Sequence, residues 1–191
     1  MKVFFDTEFT GLHKDTTLIS IGLISESGKT FYAEFTDYDG SQVDEWIQEH
    51  VINNLKFNHQ GKFFTVRDGN MEVHHDKYHI RKQLAEWFEQ FDTVELVSDV
   101  CHYDMVLLID IFGHAFKLPS NVNPACHDIN QDIASYFELS EREAFDYSRE
   151  EIMMGKIPGD KHNSLYDAKV IREIYHVVSE ECISDDRANI R

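Results

Sequence analysis

Positive charge is scarce in this chain. Lys and Arg number 18 against 35 Asp and Glu, a formal charge of −17 at neutral pH. That balance favours solubility and works against non-specific binding to nucleic acid or an anionic membrane, so a polyanionic substrate would need metal ions or a local basic patch. Cysteine is scarce too. Cys101, Cys126 and Cys182 are an odd number without CxxC spacing, which argues against a disulfide framework or a zinc site and reads as free thiols in a reducing compartment. No apolar run approaches the ~20 residues of a membrane span. The start, one Lys and a short apolar run cut by Asp6, lacks the apolar core and cleavage site of a signal peptide. A cytoplasmic protein without a membrane partner is expected. Pro119, Pro124 and Pro158, the three prolines, all fall in loop-like stretches, and there is no repeat or low-complexity tract. What is present, 42% hydrophobic and 13% aromatic residues in a chain of 191, suffices for one core. The expected organisation is one domain over residues 1–181 with a polar tail at 182–191.

The runs "KVFFD" (2–6), "TLISIGLIS" (17–25) and "TFYAEF" (30–35) read as strands of an antiparallel meander, with "SESGKT" as a turn. Val43, Trp46, Ile47, Val51 and Leu55 recur at helical spacing over 41–55, with Ser41 as a cap. Residues 56–78 lack clear periodicity around an "RDG" turn. A helix is predicted over 79–91, a fourth strand over 93–98, a helix over 104–113 ending at Gly113, and a short fifth strand over 125–129. More helix follows through the 130s and 140s, then a Gly/Pro loop at 154–162 and a last helix over 163–181. Three strands followed by alternating helix and strand predict an α/β domain: a mixed five-stranded sheet flanked by helices.

Several acids do not look like surface. On a strand Asp6 and Glu8 share a face, and two carboxylates ~4 Å apart repel by roughly 4 kcal/mol at an effective dielectric of about 20. A divalent metal would use such a pair, since Mg²⁺ and Mn²⁺ favour carboxylate oxygen; a strand end entering solvent is the plainer alternative. Asp104 falls in the first turn of the helix after the fourth strand, at the carboxyl edge where α/β sites lie. The helix dipole alone would also suit an acid there, and Asp99 and Asp110 compete for the role. His162 precedes the last helix, Asn163 or Ser164 caps it, and Asp167 lies in its first turn.

The ordered set Asp-x-Glu, Asp and His-x4-Asp, carried by "DTEFTGL", "YDMVLL" and "HNSLYDA", resembles the DEDDh branch of the DnaQ-like 3′–5′ exonucleases over nearly the whole chain. "FFDTEF", "LISIGLISESGKTFYAEF" and "VDEWIQEHV" are most similar to the RNase AS type of small exoribonuclease. The resemblance implies an RNase H-like fold and hydrolysis of single-stranded RNA from its 3′ end to nucleoside 5′-monophosphates. Two divalent ions, Mg²⁺ or Mn²⁺, would be held by Asp6, Glu8, Asp104 and Asp167, with Asp6 bridging and His162 as general base. Thr7, Phe9, Thr10, Gly11, Leu12, Tyr103 and Asn163 would contact the terminal nucleotide, and a homodimer is implied. Phe9 departs from the small or hydroxyl residue common after the Glu, and Asp99-Val100 from the His-Asn pair often found before the second motif. Two alternatives stand beside this reading: an exodeoxyribonuclease on the same scaffold, and an acidic, non-enzymatic nucleic-acid mimic.

Residues 56–82 carry six cations against three acids, interleaved with aromatics and four histidines. They fit either a rim for single-stranded nucleic acid or a solvated face. Asp128 is a candidate to support a metal ligand, and Cys101 and Cys126 read as core.

Overall fold

The alternation of the first run sets the layers. In β1 (Lys2–Phe9) Val3 and Phe5 point to one face of the sheet and Phe4 to the other, all fully buried. The strand β2 (Leu18–Ser25) is buried along its whole length, as an apolar run covered on both faces must be. It pairs antiparallel with β1 and with β3 (Thr30–Phe35), giving the expected meander. The computed structural model describes residues 1–57, 60–153, 159 and 161–188, with side chains for all of these but 150 and 180–188.

Among the described residues the sheet has seven strands, not five, in the order β4-β5-β3-β2-β1-β6-β7. The two extra strands are a hairpin, β4 (Phe63–Arg67) and β5 (Asn70–His75), in the stretch that showed no period. Asp68 and Gly69 form its turn with φ of 53° and 81°, the left-handed pair that a two-residue hairpin requires. The strand signal was hidden because only Met71 and Val73 face the core. On the edge strand β4, Phe64 and Val66 stay exposed. The last strand, β7 (Val122–Asp128), begins earlier than predicted, since Asn123, Pro124 and Ala125 are exposed and carry no apolar pattern.

β6 (Val94–Ser98) runs parallel to β1 on one side and to β7 on the other. The carboxyl ends of β1, β6 and β7 therefore open on one edge. Helices α2 (Lys77–Phe88) and α3 (Cys101–Phe112) cover one face, around Val3, Phe5, Phe31, Trp87 and Leu108. The other face is covered by α4 (Ile129–Tyr136), α5 (Glu141–Asp146), α6 (Arg149–Ile152) and α7 (Ser164–Ala188), around Phe4, Ile24, Val97, Ile133 and Ile171.

The helix predicted over 41–55 is divided into a 3₁₀ turn (Gly40–Gln42), α1 (Glu45–His50) and a second turn (Ile52–Asn54). Asp44, not Ser41, caps α1: its carboxylate accepts from the Ile47 nitrogen at 2.8 Å, while the Ser41 hydroxyl donates to Asp39. Such an acid competes with the helical backbone and starts a new helix where it stands. Asp76 likewise starts α2 two residues early. The last helix runs past 181, to Ala188. Of the predicted loop at 154–162, residues 154–158 and 160 lie outside the described residues, with Gly155 and Pro158 among them. Among the described residues no helix is long and apolar enough to cross a membrane.

Candidate active site

The period-2 rule that buries Phe4 puts Asp6 and Glu8 on its face, under α7. Phe4 packs there on Tyr175, ring centroids 5.3 Å apart, and two residues further on each step the same face carries a carboxylate. Asp167, in the first turn of α7, meets them: carboxylate oxygens of Asp6, Glu8 and Asp167 all lie within 4.8 Å of one another. The same limit joins Asp6 to Asp99 and Asp104. Asp6 belongs to both groups and is the centre of the cluster.

Asp104 is held from below. It is 1% exposed and accepts from the Thr7 hydroxyl at 2.5 Å and from the Ser98 hydroxyl. Asp110, two turns along α3, pairs instead with Lys77 at 2.8 Å on the surface. Asp128 caps α4 by accepting from the Asn130 nitrogen at 2.9 Å. His162, with φ of 60°, lines one cavity of about 280 Å³ together with Asp6, Glu8 and Asp167. Its ring meets Trp46 edge-on at 5.1 Å, and Trp46 stacks on His50 at 4.7 Å.

The acids cannot all ionise cheaply. Burial, then Asp167 and Asp104, pushes Glu8 up to about 8. Burial takes Asp104 and Asp167 each to about 7. Asp6 is raised well above the carboxylate range by burial, then by Asp104, Asp167, Glu8 and Asp99. His162 moves the other way, lowered by burial, His50 and Lys161. An all-oxygen donor set whose charge is frustrated without a counter-ion fits divalent cations of the Mg²⁺ or Mn²⁺ type.

A second cavity, about 370 Å³, opens beside the first and shares Glu8 with it; Phe9, Leu12, Trp46 and Val51 form its apolar wall. Leu12 is 76% and Trp46 51% exposed. Phe9 stacks on Tyr103 at 5.3 Å. The Thr10 hydroxyl is buried and bonded to Gln42, Thr16 and Thr17, so it braces the β1–β2 connection that presents Gly11 and Leu12. Asn163 caps α7, accepting from the Tyr166 nitrogen at 3.2 Å, while Ser164 bonds Ser20 at 2.9 Å.

Sequence reasoning did not single out Trp46, read only as one of the apolar residues at helical spacing, or Arg149, which lines the acid cavity. A large aromatic two residues after a capping Asp was the available signal for Trp46; Arg149 had none. Cys101 and Cys126 are half-buried neighbours rather than core, their Sγ atoms 3.2 Å apart. In the 56–82 stretch Lys56, Lys62, Arg67 and Lys77 each pair with an acid, and His59 lies outside the described residues. His75, Asp76 and His79 also bring ligand atoms within 4.8 Å, but Lys62 already neutralises Asp76 at 3.0 Å.

Residues 1–179 match the model of the Rv2179c-like 3′–5′ exoribonuclease domain. Two relatives from Mycobacterium tuberculosis, the 3′–5′ exoribonucleases Rv2179c (strain H37Rv) and MT2234.1 (strain CDC 1551), are each 29% identical over 133 residues, 69% of this chain and 73% of theirs. Among solved structures, a full-length 3′-exonuclease superposes with a TM-score of 0.61 at 12% identity, covering 97% of this chain and 82% of its own. The nuclease domain of 3′hExo, a DEDDh family member bound to rAMP, gives 0.60 at 12% identity, covering 96% and 92%. At such identity these structures share the fold alone, and that fold is the mixed, helix-flanked RNase H-like sheet.

Proposed function

Because the chain belongs to the Rv2179c-like 3′–5′ exoribonuclease family, we propose that it hydrolyses single-stranded RNA from the 3′ end and releases nucleoside 5′-monophosphates. The observation that carries this reading is the meeting of two acid groups at Asp6, one with Glu8 and Asp167 and one with Asp99 and Asp104, beside a cavity that His162 lines with Asp6, Glu8 and Asp167. Asp6, Glu8, Asp104 and Asp167 would hold two divalent ions, Mg²⁺ or Mn²⁺. When bound, such ions would supply positive charge to acidify the attacking water and steady the leaving 3′-oxygen.

His162 takes the proton of that water. Its lowered pKa keeps it neutral and able to accept near pH 7. Phe9, Gly11 and Leu12 line the approach, with Leu12 and Trp46 flanking the terminal base in the apolar cavity beside Glu8. Thr7, Thr10, Tyr103 and Asn163 serve the terminal nucleotide by holding Asp104, the β1–β2 connection, the Phe9 ring and the start of α7 in place. Stacking of this kind is worth about 1–3 kcal/mol per base. The catalytic unit spans residues 1–181, works in the cytoplasm and acts as a homodimer.

The test is one gel. 5′-labelled single-stranded RNA and DNA of one sequence are incubated with Mg²⁺ or Mn²⁺ and wild type, Asp6→Ala or His162→Ala. An RNA ladder shortening from the 3′ end, metal-dependent and lost in both variants, is expected. A ladder on DNA alone moves the substrate to deoxyribonucleic acid. No cleavage and no metal binding would sink the nuclease reading.

A further inference from the structure

We propose that Arg149 is a positioning residue that holds the Asp99 carboxylate out of the metal-binding set, leaving Asp6, Glu8, Asp104 and Asp167 to do the binding. The inference rests on the two-ion reading above and goes beyond it, since it concerns which of five neighbouring acids stay available.

Asp99 is placed to compete. A carboxylate oxygen of Asp99 lies within 4.8 Å of oxygens of both Asp6 and Asp104. What separates Asp99 from Asp104 is the kind of partner each has. Asp104 accepts from two hydroxyls, Thr7 and Ser98. These neutral donors orient the carboxylate and leave its full charge for a cation. Asp99 faces a guanidinium instead: Arg149 Nε lies 3.4 Å from Asp99 Oδ2, with both side chains mostly buried. Guanidinium keeps its charge at every working pH, so this acid has a resident counter-ion.

Arg149 is itself immobilised. Its Nη1 donates to the Ala144 and Tyr147 carbonyl oxygens at 3.1 and 3.2 Å, and its Nη2 to Asn130 Oδ1 at 2.6 Å. Buried Asn130 in turn donates Nδ2 to the Asp99 carbonyl oxygen at 2.7 Å and to Asp128 Oδ1 at 2.8 Å. The three residues close a ring. Asn130 holds the Asp99 main chain, Arg149 holds its side chain, and Asn130 and Arg149 hold each other. Buried and fully bonded, such a ring specifies one arrangement of its members. It also accounts for the charge: the four remaining acids match two divalent cations, and Asp99 with Arg149 adds nothing. Freed from Arg149, Asp99 would compete with Asp6 and Asp104 for a cation.

The experiment titrates Mn²⁺ calorimetrically into the full chain as wild type, Asp99→Asn, Arg149→Met and the double variant, and measures kcat on single-stranded RNA for the same four. Asp99→Asn is expected to keep the wild-type stoichiometry, with affinity changed by less than about threefold. Arg149→Met is expected to bind Mn²⁺ about tenfold tighter and to lose about tenfold or more in kcat, a coupling of ordinary size for contacting groups. In the double variant the affinity returns to wild type and kcat rises above that of Arg149→Met. Loss of an ion, or affinity weakened tenfold or more, in Asp99→Asn would make Asp99 a ligand and overturn the proposal. So would an unchanged affinity in Arg149→Met. Should Arg149→Met fail to fold, Asp99→Asn decides by stoichiometry alone. A wild type that binds no Mn²⁺ removes the nuclease reading and this proposal together; a wild type that binds and cleaves while Asp99→Asn loses an ion removes only the latter.

Discussion

Gly22 of β2 lies against the backbone at the start of α7, so closely that a Cβ on it would fall 2.2 Å from the Leu165 nitrogen. The same residue stands opposite Asp6 in the β1–β2 ladder. The missing side chain lets α7 descend onto the sheet at the one point where Asp167 must come beside Asp6. The Ser20–Ser164 hydrogen bond, two residues along β2, fixes the contact.

Gly22→Ala should therefore cost stability and site geometry together. Backbone, unlike the end of a flexible side chain, cannot step aside cheaply, so a loss of about 1–3 kcal/mol or more is expected. Urea unfolding measures it. The Mn²⁺-induced rise in thermal midpoint should shrink in the same variant, because Asp167 is carried away with the helix; an undiminished rise would contradict this account of α7.

Asp6→Asn should separate stability from activity. It removes the acid that Asp104, Asp167, Glu8 and Asp99 all repel, so the metal-free protein should gain roughly 0.5–2 kcal/mol. Activity should fall by about 10²-fold or more, and the thermal shift with Mn²⁺ should disappear. Parallel melts with EDTA and with Mn²⁺ read both effects.

The pH dependence of the metal-free protein has a definite sign. Glu8 at about 8, and Asp104 and Asp167 at about 7, all lie above the values of an unfolded chain, so the native state binds more protons than the unfolded one between about pH 4 and 8. Stability in EDTA is present in full at the acid end of that window and is lost as pH rises through 7 and 8. Mn²⁺ should flatten or reverse the slope, since it binds the deprotonated acids. Urea midpoints at pH 5.5 and 8.5, with and without Mn²⁺, test it.

His162→Asn should lower kcat by about 10²–10⁴-fold while leaving Mn²⁺ binding in place. In wild type the acid limb of the kcat/KM profile should fall below 6.5, because burial, His50 and Lys161 lower the His162 pKa. The limb should vanish from the residual activity of the variant. Lost metal binding in His162→Asn would assign the histidine a different role.

Trp46→Ala and Leu12→Ala should act mainly on binding. Each removes one wall of the apolar cavity beside Glu8. For Trp46→Ala the loss of aromatic stacking, about 1–3 kcal/mol, corresponds to a KM raised roughly 5- to 150-fold; for Leu12→Ala, which loses only aliphatic contact, the rise should be smaller. For Trp46→Ala a smaller fall in kcat is also expected, as its ring contacts His162. Steady-state kinetics on a short RNA separates the two effects.

The parts of the site that were legible are those with a local signature. An Asp-x-Glu pair in a strand of period 2 declares a shared face, and Asp104 and Asp167 each stand in the first turn after a recognisable strand end or cap. The hairpin of β4 and β5 was missed because its alternation is short: Phe64 and Val66 on the exposed edge strand, and Met71 and Val73 on its partner, give only two alternating apolar positions each. The division of residues 41–55 was missed for a similar reason: the apolar stripe is helical, but Asp44 overrides it by capping from within.

The sequence by itself determined which acids are candidates for the site, the faces they share within each strand and helix, and the meander that begins the sheet, since these depend on contacts a few residues apart. Only the tertiary structure decided that Asp6 would be common to two acid groups, that Gly22 would admit α7, that Trp46 would stand at the edge of His162, and that Arg149 would reach Asp99 from 50 residues away. Those relations come from the packing of non-neighbouring elements, whose positions follow from the burial of a whole core rather than from any local periodicity.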